Sequence, residues 1–125
     1  MGLTYITRQN MIDDNSETIT KFLKATMKGV HFAIADTEAA LDIVMKYANN
    51  EDRDHQNFML STEITHAVST TTEKNGLGWM TTQQWQSFHD SLLRYGALAE
   101  SVPVELAFTN EFIAGIYTDG HLNWP

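Results

Sequence analysis

The sequence has 125 residues, no cysteine and a formal net charge of -8, from 8 Lys and Arg against 16 Asp and Glu. That length is one domain or a piece of one, long enough to bury a core of its own. The absent thiols exclude disulfides, thiolate zinc sites, iron–sulfur clusters and cysteine nucleophiles. The acidic balance, with no basic stripe, argues against nucleic acid and against an anionic membrane surface.

In chain order, "LTYIT" (Leu3 to Thr7) is β-branched and aromatic and predicts a short strand. Asn15 or Ser16 then caps a helix, with Glu17 at the positive end of its dipole. Ile19, Phe22, Leu23, Thr26, Met27, Val30, Ala33 and Ile34 recur at three- and four-residue steps, giving an amphipathic helix that ends near Ala35. Gly29 inside it costs up to about 1 kcal/mol, which close packing would offset.

Asp36 or Thr37 caps a second helix with Ala40, Leu41, Val44, Met45 and Ala48 on its apolar stripe. "NNEDRD" interrupts, and Asp52 caps a third helix whose buried side is Phe58, Met59 and Ile64. "STTTEKNGLG" reads as a polar loop. Thr81 and Gln84 form a capping-box pair for the next helix, on which Trp85, Phe88, Leu92 and Tyr95 mark the buried face. Gly96 is its left-handed stop. Leu98 to Leu106 is extended or irregular around Pro103; "FTNEFIAGIY" is a cap and a last short helix; "TDGHLNWP" is a loose tail.

No motif carries catalysis. Glu63 and His66 share the E-x-x-H spacing of a carboxylate-bridged metal site, but no second such pair exists to complete it. His55 near Asp52 and His89 beside Asp90 read as surface polar pairs. There is no G-x-S-x-G elbow, and "NGLGW" lacks the Lys-Ser/Thr of a phosphate loop. Two features invite a ligand. Trp79 and Trp85 flank a capped helix start and would stack on a flat molecule, or pack a loop onto a helix. Asn110 and Glu111, between Phe108 and Phe112, would contact that ligand, or start the last helix with Thr109 or Asn110 as its cap. The candidate ligand-binding set is therefore Trp79, Trp85, Asn110 and Glu111, with no metal, no cofactor and no catalytic residue.

The order of the pieces is more specific than any one of them. "NSETITKFLKATMKGVHFAIADTEAALDIVMKYANNEDRDHQNFML", then "GLGWMTTQQWQSFHDSLLRYGAL", then "VELAFTNEFI", resembles the C-terminal part of a family of periplasmic solute-binding proteins. These are the thiamine-pyrimidine-precursor and related nitrate/sulfonate/taurine-type components of ABC transporters. The resemblance runs over roughly residues 3 to 113. It implies a type II binding-protein architecture, in which two α/β lobes close over a ligand. The segment corresponds to the C-terminal part of the first lobe, and most ligand-contacting positions of the family lie upstream of it.

The expected fold is mainly α, one short N-terminal strand followed by four or five helices. Residues 1–113 form a partial solute-binding-protein-like domain and 114–125 a C-terminal tail. The expected function is that of a solute-binding-protein-like segment, not an enzyme and not ligand-competent alone. The alternative is an oligomeric helical interaction module that has lost transport. Expected partners are a second copy of the chain and a small heterocyclic ligand, with no nucleic acid and no membrane insertion. As written, with no signal peptide, the chain is cytoplasmic; as a fragment of an exported parent it is periplasmic.

Overall fold

A computed structural model describes residues 4–48 and 52–124. Its helices are α1 (Gln9–Asp14), α2 (Ser16–Ala35), α3 (Thr37–Tyr47), α4 (Arg53–Ala67), α5 (Thr70–Asn75), α6 (Thr82–Arg94) and α7 (Glu111–Ile116). A 3-10 turn covers Val104–Leu106, and β1 (Tyr117–Thr118) pairs antiparallel with β2 (His121–Leu122). The mainly helical expectation holds. The expected N-terminal strand does not form over the described residues 4–7, which carry no regular structure; Leu3 lies outside them. A strand needs a partner, and here the Tyr5 ring instead meets Phe22 edge-on at 5.4 Å.

Local chemistry sets most boundaries. The Asp36 carboxylate accepts from the Ala39 amide, and that of Asp52 from the Asp54 amide. Thr81 and Gln84 complete the capping box, and Gly96 stops α6 with φ 72°. The stretch read as a polar loop holds α5, started by a second capping box between Ser69 and Thr72. The tail is not loose either. Asp119 and Gly120 both take positive φ, as a type I′ turn requires, and fold residues 117–122 into a hairpin. The boundary expected at residue 113 thus falls inside α7.

The centre of the molecule is α2, against which α1, α3, α7 and β2 pack. Further out, α4 rests on α3, held by Arg53 to Asp42 at 2.7 Å and to Glu38 at 3.0 Å. These ion pairs are exposed and contribute little. The main core cluster is Met27, Leu77, Ile113, Ile116 and Tyr117, with Leu23, Val30, Ile34, Trp79 and Leu122 packed around it. Gly76 lies against the Tyr117 ring, where a side chain would collide, and its φ of 104° suits glycine.

The main contacts run in a row, α4 to α3 to α2 to α7, rather than closing a bundle. Phe58 and Met59, expected on the buried side of α4, are 69% and 47% exposed, and α4 buries no residue. On α6 the expected face is also displaced: Phe88 and Tyr95 are exposed, and the buried residue is His89. Gly29 is exposed with open space around it, so packing does not offset its cost. The chain exposes 9155 Å². A compact monomer of 14.1 kDa exposes about 6,700 Å².

Candidate functional site

The loop between α5 and α6 meets the start of α7 at Met80. Met80 sits outside any helix or strand, so its backbone groups need partners. Asn110 supplies both: its Oδ1 accepts from the Met80 N–H at 3.0 Å, and its Nδ2 donates to the Met80 carbonyl at 2.7 Å. Asn110 stands at the N-cap of α7 but makes no capping bond. Thr109 does that work, its Oγ1 accepting from the Glu111 amide at 3.1 Å.

Trp85, in the second turn of α6, leans on the same loop. Its Nε1 donates to the Met80 sulfur at 3.4 Å. Its ring stacks on Phe108, centroids 5.3 Å apart and planes 4° from parallel, and meets Phe88 edge-on at 6.5 Å. Trp85 and Asn110 are therefore brought together through Met80 and Phe108. The other two candidates are placed apart from them. Trp79 packs on the core cluster, and Glu111 is exposed in the first turn of α7, where the dipole favours a carboxylate. Met80 and Phe108 were not among the sequence candidates. A spacing of 30 residues gives no periodic signal, and a backbone partner leaves none.

One face of the Trp85 indole is thus occupied by Phe108, and the Asn110 amide is spent on Met80. Surface depressions lie nearby, one along α6 lined by Thr81, Gln84, Ser87, Phe88 and Ser91, another on α4 lined by Phe58, Ser61, Thr62, Thr65 and His66. Both are open to solvent, and neither takes in Trp79, Trp85, Asn110 or Glu111.

Two histidines stitch distant segments. His31 Nε2 lies 3.0 Å from the Tyr117 hydroxyl, tying α2 to the hairpin. Burial, with Lys28 adding repulsion, holds the His31 pKa below its ordinary value. Burial also pushes the Tyr117 pKa up. The second is His89, expected at the surface with Asp90. The contact exists, Nδ1 to Oδ1 at 3.2 Å, but the ring is buried. His55 is exposed and does not pair with Asp52, whose carboxylate caps α4. His66 Nδ1 lies 2.9 Å from the Thr62 carbonyl, one turn back on its own helix, and Glu63 is exposed. Among the described residues, no group of three or more His, Asp or Glu side chains is placed to hold a metal ion, and no helix is long and apolar enough to cross a membrane.

Residues 1–40 match the family model described as NMT1/THI5 like. Over 108 residues the chain is 29% identical to the riboflavin-binding protein RibY of Chloroflexus aurantiacus, a match covering 84% of this chain and 31% of that protein. The chain therefore spans under a third of the length of this curated relative. No solved structure matches it. These two likenesses support the resemblance drawn from the sequence: residues 1–40 are similar to the NMT1/THI5-like family, and most of the chain is similar to part of a solute-binding protein.

Proposed function

We propose that this chain is the helical outer layer of a solute-binding lobe, equivalent to the C-terminal part of the first lobe of a type II binding protein. It does not bind ligand by itself. The observation that carries this reading is the open row α4–α3–α2–α7, whose outward apolar residues include Tyr47 at 81% and Phe58 at 69% exposure. Such faces evolve to lie against another layer, and the surface beyond that of a compact monomer is roughly 2,400 Å². The match to RibY, covering 31% of that protein, is consistent with a segment that forms one part of a larger lobe. The ligand class of the assembled lobe is a planar nitrogen heterocycle: a pyrimidine precursor of thiamine by the family resemblance, or a flavin by the relative. The segment has a structural role, not a catalytic one.

The test is calorimetry and thermal shift with hydroxymethylpyrimidine and with riboflavin. The chain alone should give no response. Co-expressed with a polypeptide matching the remainder of RibY, it should co-purify and be stabilised by one of them. A response from the chain alone would overturn the layer reading and restore Trp79, Trp85, Asn110 and Glu111 as a site.

The surface excess also favours a second reading, a helical module that associates with its own copy. Permanent complexes bury roughly 2,000–5,000 Å², a range that includes this excess. Light scattering at high micromolar concentration separates the two, since only self-association gives a defined oligomer of the pure chain.

A further inference from the structure

His89 is 6% exposed on the packed side of α6. Its Nε2 accepts from the Val102 backbone N–H at 3.2 Å, and Ser101 Oγ lies 3.3 Å from the same nitrogen. Nδ1 faces Asp90, whose carboxylate also accepts from Gln86 Nε2 at 2.7 Å. A backbone amide only donates, so Nε2 must keep its lone pair. The ring is then neutral, with its proton on Nδ1 toward Asp90.

We propose that His89 is a pH-operated latch: the neutral ring clamps Ser101 and Val102 onto α6, and protonation of Nε2 releases them. A proton on Nε2 sets two donors face to face. Ser101 can turn its hydroxyl to accept from the new N–H. Val102 cannot, and its amide, in a residue that is 48% exposed, must turn to water. The charged neighbour on α6 is Asp90; Arg94, one turn on, lies over the Tyr95 ring. The packed segment and the 3-10 turn bring Glu100 and Glu105, both exposed. The lost amide bond is what opens the latch. The Ala97 and Leu98 amides bond the Leu92 carbonyl and Val104 is 4% exposed, so the opening is confined between Leu98 and Val104.

The test is amide hydrogen exchange of the full chain by NMR, corrected for intrinsic rates, at neutral and mildly acidic pH. Histidines take up protons over this range, and Val102 should lose roughly tenfold in protection while the Ile116 amide holds. In His89→Gln, the side-chain oxygen accepts at every pH and the loss should vanish. Equal Val102 protection at both pH values in the unsubstituted chain overturns the proposal. So does a loss that persists in the variant or runs in parallel at Ile116. Should the variant not fold, nitrogen-15 shifts of the His89 ring decide. An unprotonated Nε2 at neutral pH supports the latch, and the Nε2–H tautomer overturns it.

Discussion

Asn110 holds Met80 by both of its backbone groups, the carboxamide imitating one rung of an antiparallel ladder across 30 residues of chain. This single side chain fixes the loop that begins α6 to the helix start that closes the core. Truncation in Asn110→Ala leaves a donor and an acceptor unpaired in a half-buried place, at a cost of about 1–3 kcal/mol. Urea unfolding should show the midpoint fall. Asn110→Asp should recover part of the loss, since its carboxylate still accepts from the N–H but repels the carbonyl.

The two glycines Gly76 and Gly29 should respond oppositely to alanine. Gly76→Ala sets a β-carbon into the Tyr117 ring at a positive φ, and should destabilise by more than about 1 kcal/mol. Gly29→Ala fills open space in mid-helix and should stabilise by about 0.4–1 kcal/mol. Thermal melts of both variants check the sign; the same sign in both contradicts the geometry.

His31 makes stability depend on pH. Its folded pKa is lowered by burial and by Lys28, so the unfolded chain binds the proton more tightly. The contribution is complete above the unfolded value, near about 6.5, and is lost as pH falls toward and through the lower folded value. The ring keeps much of its solvent contact, so the effect is small. Comparing urea midpoints at neutral and mildly acidic pH, His31→Gln should flatten the slope. An unchanged slope assigns the pH dependence to other groups.

Apolar residues on the open row should matter to assembly and not to the fold. Tyr47→Ser and Phe58→Ser remove side chains that are 81% and 69% exposed, and each should change unfolding stability by under about 0.5 kcal/mol. If the chain self-associates through this face, scattering mass should drop toward the monomer in both variants. A mass unaffected by either places the contact elsewhere.

What the sequence made legible was local. The span of α2, the caps at Asp36, Asp52 and Thr81, and the Gly96 stop all rest on chemistry within a turn of the residue. Two missed elements also had local signals. Ser69 and Thr72 stand three apart before α5, but the β-branched run Thr70 to Thr72 lowers helix propensity and reads as a loop. Asp119-Gly120 is a strong turn pair, masked by the polar residues around it. The errors on α4 and α6 are different. Periodicity names an apolar face but not whether anything covers it, so Phe58 and Tyr95 read as interior yet lie exposed. In the candidate site, the fold brings Trp85 and Asn110 together, and their partners are a sulfur, a backbone and a ring reached only through that fold.

The core joins Met27 to Ile113, Ile116 and Tyr117, residues some ninety positions later in the chain. During synthesis α2 therefore waits, greasy side outward, until the ribosome has delivered residues 111–122. Holdase chaperones have that whole interval in which to capture it, and a premature stop anywhere before Glu111 leaves a product in which the face of its longest helix that meets α7 has no cover.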